Sequence, residues 1–240
     1  MARAPHFVNE KLNGSVQRIG ASVRSWYINM MSTVLANDVA DTPSVKARQI
    51  LDAAKRLFME QGFGDVSMDA IARDAGVSKA TLYAHFASKQ VLLAAIVRAE
   101  CRRHAEALIA PDIAHEDVRT ALRYFGRAFL TLLFSPGALA MYRIIFAESQ
   151  RFPELGRIFY ESGPRLTLTN ATAYLRQATE RGELNASDPS LAAEHLIAML
   201  KGVRDHRCLL GVAEPLTQEE IERRVDSTID VFLRAYAPAH

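Results

Sequence analysis

Between Ser78 and Lys89 the chain carries Ser78, Lys79, Thr81, Tyr83, His85 and Lys89, which place ammonium groups, hydroxyls and an imidazole on one short segment. Such groups donate hydrogen bonds to phosphate oxygens and to base edges. They do not by themselves break bonds. No G-x-S-x-G, Walker-type Gly-Lys loop, G-x-G-x-x-G or H-E-x-x-H pattern occurs, and no nucleophile stands at a readable spacing from a base. Catalytic residues and cofactors are therefore not expected. His195 and His206 lie three helical turns apart, too far to share one ion on a single helix, so no metal site is expected either. Cys208 stands beside Arg204 and Arg207 only, which favours an inert buried thiol over a reactive one.

The donors need a rigid carrier. Ile50, Ala54, Leu57 and Phe58 recur at helical spacing up to Gly62. Ser67 is placed to cap a short helix carrying Ile71, Ala72 and Ala75, which Gly76 ends. Ser78 caps the next helix, 79–85, and Ser88 a fourth with Val91, Leu92, Ala95, Ile96 and Ala99 on one stripe. Gly76 permits a positive φ at the corner. Ile71, Ala75, Val77, Leu82 and Phe86 can form one small core that holds the second of the two short helices outward, at the width the DNA major groove admits.

The rest of the chain reads as helices near 116–134, 137–151, 154–181, 188–210 and 217–236, with Pro111, Pro136, Pro153 and Pro189 at starts and a capping-box spacing at Thr217 and Glu220. No period-two run is long enough for a strand, so the fold class is all-α. The domain division is 1–42 as a flexible basic extension, 43–90 as the helix-turn-helix domain and 91–240 as a second helical domain. Met30-Met31-Ser32 also allows a start inside the extension. The formal net charge of +2 is too small to argue for nucleic acid by itself, although residues 1–89 are net +3 and the remainder net −1. Two cysteines, no secretory pattern and no membrane-length apolar run point to a cytoplasmic protein with no membrane partner.

The run Ala75-Gly76-Val77-Ser78-x-x-Thr81-Leu82-Tyr83-x-His85-Phe86-x-x-Lys89, with Ile50-Leu51-Asp52-Ala53-Ala54, Leu57-Phe58, Gly62-Phe63, Ile71-Ala72 and Leu92, resembles the DNA-binding domain of the TetR/AcrR family of transcriptional regulators. The resemblance implies that 79–85 is the recognition helix, with Thr81, Tyr83, His85 and Lys89 on DNA backbone or bases and Lys79 and Ala80 reading bases. One departure is Met68-Asp69 at the start of the second helix, where a phosphate contact is common; Asp69 repels phosphate unless it points away. Backbone grip then leans on Ser67, Tyr83, Lys89 and the basic first helix with Lys46 and Arg48, while Ser78 offers a backbone N–H at a helix start. Packing is the competing role for Thr81, Tyr83 and His85.

The resemblance further implies that the larger part binds a small-molecule effector of unknown identity and forms a homodimer. Phe146 to Leu155 and Phe159-Tyr160 resemble the AefR-like subgroup of C-terminal domains. The last two helices carry apolar stripes suited to a four-helix dimer bundle: Leu191, Ala192, Leu196, Met199, Leu200 and Val203, then Ile221, Val225, Ile229, Phe232 and Tyr236. The same stripes can close the chain's own core. Candidate effector-binding residues are Tyr124, Phe125, Phe129, Tyr142, Arg143, Phe146, Glu148 and Tyr174, with core packing as their competing role and an Arg143–Glu148 pair as a further alternative. The function expected is that of a repressor on a pseudo-palindromic double-stranded operator, released by the effector through the lever of helix 88–108; the alternative is a ligand-independent regulator or an activator on the same fold.

Overall fold

The computed structural model describes residues 44–107 and 117–238, so the 1–42 extension lies outside the described residues. Among the described residues every regular element is a helix. They are α1 (Val45–Gln61), α2 (Met68–Asp74), α3 (Lys79–His85), α4 (Lys89–Ala107), α5 (Val118–Leu133), α6 (Pro136–Glu148), α7 (Pro153–Ser162), α8 (Pro164–Glu180), α9 (Pro189–Leu209) and α10 (Gln218–Ala235). No single helix among them is long and apolar enough to cross a membrane.

Local chemistry sets the helix starts. Ser44, Ser67, Ser78, Asp117 and Ser135 each accept a bond from the backbone N–H three residues on, relieving one of the four unpaired donors that every helix start leaves. Thr217 and Glu220 form a reciprocal capping box at α10. Proline opens α6, α7, α8 and α9, where its missing N–H costs nothing.

Two departures from the sequence reading have local causes. The stretch 154–181 is two helices, because Gly163 (φ −128°, ψ −80°) leaves helical space just before Pro164, whose ring prevents its predecessor from continuing a helix. Helix α9 is kinked at Gly202, whose φ of 54° and ψ of −160° only glycine adopts readily. The stripe assigned to α4 also shifts. Val91 and Ala99 are exposed, while Leu92, Leu93, Ala94, Ile96 and Val97 are buried, so α4 is covered on a wide front.

The apolar interior forms two clusters. The first joins α1–α4 (Ile50, Phe58, Ile71, Leu82, Leu92, Leu93, Ile96) to Met141 and Ile145 of α6 and to Leu155 and Ile158 of α7. The second joins α5, α8, α9 and α10 around Leu130, Leu175, Leu196, Leu200, Val225 and Phe232. Helix α6 serves both, since Leu139 belongs to the second cluster. Helices α5 and α10 are zipped by three pairs in antiparallel register: Arg119–Asp230, Arg123–Asp226 at 2.9 Å and Arg127–Glu222 at 2.5 Å. Arg123 Nε and Asp226 Oδ1 are close but out of hydrogen-bond alignment. Gly126 lets the backbones approach beneath this ladder: a Cβ there would stand 3.1 Å from Val225 and 3.3 Å from Leu200.

Candidate nucleic-acid interface

The reading element is built from α2 and α3. Gly76 takes a φ of 63° in the turn between them, and Val77 donates its N–H to the Ala72 carbonyl at 3.0 Å, closing the corner. Ile71 and Leu82 are fully buried and Phe86 nearly so, with Ala75 and Val77 packed against them. Burial of side chains of this size contributes roughly 1.5–3 kcal/mol each. This core fixes the angle of α3, and α4 departs from α3 at a bend of 59°.

The side of α3 turned away from the core carries Lys79, Ala80, Tyr83 and His85, all exposed, Tyr83 at 51%. Exposure removes the packing role considered for Tyr83 and His85. Thr81 is half-buried, and its hydroxyl lies 2.8 Å from Ser78 Oγ. Ser78 Oγ also accepts from the Thr81 N–H at 3.1 Å, and Ser67 Oγ from the Ala70 N–H at 3.1 Å. Both serines are thus helix caps at the same surface. Lys46 and Arg48 are exposed at the start of α1. The exposed side of α3 presents an ammonium, a phenol, an imidazole and a methyl, which suits a groove lined by phosphates and base edges.

Lys89 is a correction. Its ammonium donates to the carbonyls of Phe63 (2.6 Å), Gly64 (3.1 Å) and Val66 (2.8 Å) and sits 4.5 Å from the Phe63 ring centre. Three protons go to three carbonyls, so Lys89 ties the α1–α2 connection to α4 and has no proton left for a phosphate. Asp69, whose charge would oppose DNA, points at Lys79, with Oδ2 and Nζ 2.5 Å apart. This pair joins the start of α2 to the start of α3; the residues stand ten apart, and the corner between the helices brings them together, which spacing alone does not signal. Asp74 likewise engages Arg56 of α1.

Of the candidate effector residues, Phe125, Phe129, Tyr142 and Tyr174 lie in or against the second cluster, while the others are spread over the surface of α5 and α6. Phe125 and Phe129 stack in the second cluster at 5.7 Å, and Tyr142 meets Phe146 at 5.8 Å. Tyr124 and Phe146 are exposed, and Glu148 is half-buried. The Tyr174 hydroxyl is buried without a well-formed hydrogen bond; burial pushes this phenol up to about 12. Arg143 is a second correction: Nε donates to the Leu209 carbonyl at 3.0 Å and Nη2 to the Cys208 carbonyl at 2.6 Å. It caps the end of α9 and does not pair with Glu148.

Residues 50–96 match the pattern of the bacterial regulatory proteins of the tetR family, and residues 120–238 match the AefR-like transcriptional repressor C-terminal domain. The solved structure of the flavonoid-responsive regulator FrrA is 40% identical, with a TM-score of 0.70, over 81% of this chain and 98% of that one. The chain belongs to the TetR family. Its TetR-family relatives include a solved structure of a regulator from Mesorhizobium loti, 29% identical with a TM-score of 0.71 over 80% of this chain and 96% of that one. The HTH-type transcriptional regulator BetI of Rhizobium meliloti is 29% identical over 192 residues, 80% of this chain and 91% of the relative. As a TetR-family protein it is a helix-turn-helix DNA-binding transcriptional regulator, and regulators of this family dimerise. The two matched segments leave residues 97–119 between them, a stretch that contains the second half of α4.

Proposed function

We propose that the protein is a homodimeric repressor whose two α3 ridges enter successive major grooves of a pseudo-palindromic operator, and that a small molecule held by the second helical domain releases it. The observation that carries this reading is the shared first core: α4, α6 and α7 pack into the same apolar cluster as the reading head. A change in how α6 or α7 sits must therefore move α4 and with it α3. Lys55 of α1 adds a tie to Glu100 of α4 at 2.7 Å. On this reading the division between reader and sensor, placed at 90/91, falls inside α4, which belongs mechanically to both.

In the complex Lys79 and Ala80 face base edges, Tyr83 and His85 face the backbone, and Ser67, Ser78, Thr81, Lys46 and Arg48 flank them. The relative FrrA is by its name flavonoid-responsive, which supports control by a small molecule here. The dimer is formed by the outer faces of α9 and α10. The stripes nominated from sequence are largely taken: Ala192, Leu196, Leu200, Ile221, Val225, Ile229 and Phe232 are buried in the chain's own core. Leu191, Val203 (75% exposed) and Val231 (50% exposed) remain outside on the same two helices and supply the apolar contact surface.

The test is fluorescence anisotropy of the purified protein on DNA flanking its own gene, across a salt series and against excess unrelated DNA. Tight binding that weakens with salt and withstands competition is expected. Equal, weak binding to all DNA would sink the operator reading.

A further inference from the structure

Asp69 of α2 and Lys79 of α3 bring opposite charges to within 2.5 Å across the corner of the reading element, with their side chains 50% and 66% exposed. The corner does not need them: Gly76 sets the turn, and the Val77 N–H closes it on the Ala72 carbonyl. A pair this exposed adds little to stability. Arg73 stands four residues beyond Asp69 in the same helix, the usual spacing for a charge pair, yet the Asp69 carboxylate is engaged with Lys79. The pair has no net charge, so its pull on a phosphate is slight, and the carboxylate opposes it. What it presents to a groove is a donor and an acceptor side by side.

The major-groove edge of a base pair is also a row of donors and acceptors. On G·C the order is N7 and O6 of guanine, both acceptors, and then the N4 amino group of cytosine, a donor. On A·T the donor, N6 of adenine, stands between two acceptors, N7 and O4. The Lys79 ammonium has three protons, and one faces Asp69. Two remain, the number that the adjacent N7 and O6 take up. The Asp69 carboxylate has lone pairs beyond the one facing Lys79, and N4 of the same base pair lies next to O6. We propose that Asp69 and Lys79 together read one G·C pair in each half of the operator, with guanine on the Lys79 side and cytosine on the Asp69 side. This rests on the reading that α3 enters the major groove. Asp69 is then a specificity residue supplied by the neighbouring helix. It rejects any base edge that would set an acceptor against the carboxylate, and it holds the Lys79 ammonium to a base instead of a phosphate.

The full chain is used to select binding sequences from a randomised duplex library. The selected duplex is then compared by anisotropy with copies that carry each other base pair at each position. One G·C position per half is expected to be fixed, with a loss of about tenfold on replacement, the scale of one mismatched pair. Asp69→Ala should tighten binding to unrelated duplex, because a negative charge leaves the surface, and should abolish the discrimination at that position alone. Lys79→Ala should abolish discrimination at the same position, and the double variant should lose no more of it than either single one. Both residues are exposed, so each variant is expected to melt with the parent. The joint reading is overturned if Asp69→Ala tightens binding to every duplex equally and keeps the discrimination, if the two variants lose it at different positions, or if the fixed pair is A·T. A protein that selects no sequence would overturn the operator reading as well, whereas a selected operator indifferent to Asp69 overturns this pair alone.

Discussion

The ammonium of Lys89 has three protons and three carbonyls to receive them, and this sets it apart from Lys79, which is exposed and paired only with the equally exposed Asp69. Surface pairs of the second kind are weak and exchange readily with phosphate or guanine. Lys89→Met should therefore lower stability by about 2 kcal/mol, the scale of hydrogen bonds to a charged group, while the slope of operator affinity against salt stays as it was. Lys79→Ala should do the reverse: an unchanged melting temperature, weaker operator binding and relaxed base preference. A flatter salt slope for Lys89→Met would return that residue to the DNA surface. Tyr83, half exposed with its ring on the ridge, belongs with Lys79. Tyr83→Ala is expected to weaken operator binding about tenfold, the scale of one good polar contact, with no change in melting temperature.

Helix pairs in the second core approach closely where side chains are missing. Gly126 lies against Val225 and Leu200, whose atoms would crowd a methyl at 3.1–3.3 Å. Gly126→Val should separate α5 from α10 and lower stability by about 1–3 kcal/mol, as overpacking does, measured by urea unfolding; a neutral result would mean that the ladder pairs relax without cost. Gly202 is constrained differently. A Cβ there meets only the far end of Arg224, which can swing away, but a φ of 54° strains any L side chain. Gly202→Ala should thus cost stability through backbone conformation or straighten α9, and a crystal structure of the variant distinguishes the two.

At the scale of the whole molecule, the α5–α10 ladder sets the response to solvent, and the interface proposed on the outer faces of α9 and α10 sets the response to self-association. The Arg119 guanidinium beside Asp230 holds its carboxyl below the usual carboxylate range, and the backbone bond from Thr217 does the same for Glu220. A depressed folded pKa means that the stabilisation is present above the ordinary carboxylate value and is lost as pH falls through the folded value. The melting temperature should be level near neutrality and drop in acid, below the ordinary value of 3.8 for Asp230. High salt should soften the same ladder. Val231→Asp, on the exposed face of α10, should shift the protein toward monomer in light scattering and weaken operator binding, because two half-sites are no longer engaged together. A variant that stays dimeric would move the interface elsewhere.

The all-helical fold and the reading ridge were legible from local signals. Ser67, Ser78 and Ser88 act within three or four residues, Gly76 acts at one, and the spacing of Ile71, Leu82 and Phe86 describes a core closed within twenty residues. The break at Gly163-Pro164 is just as local, yet helical periodicity runs through it as one long helix, and the kink at Gly202 has no signal beyond a glycine in an apolar helix. What the fold alone decided concerns groups far apart in the chain. Lys89 meets the Phe63 carbonyl, Arg143 meets the Leu209 carbonyl, and Arg119 meets Asp230. Helical periodicity tells which face of a helix is apolar, because that depends on its own residues; which partner covers the face, and so which cations are free and which polar groups are buried together, depends on how all the helices pack.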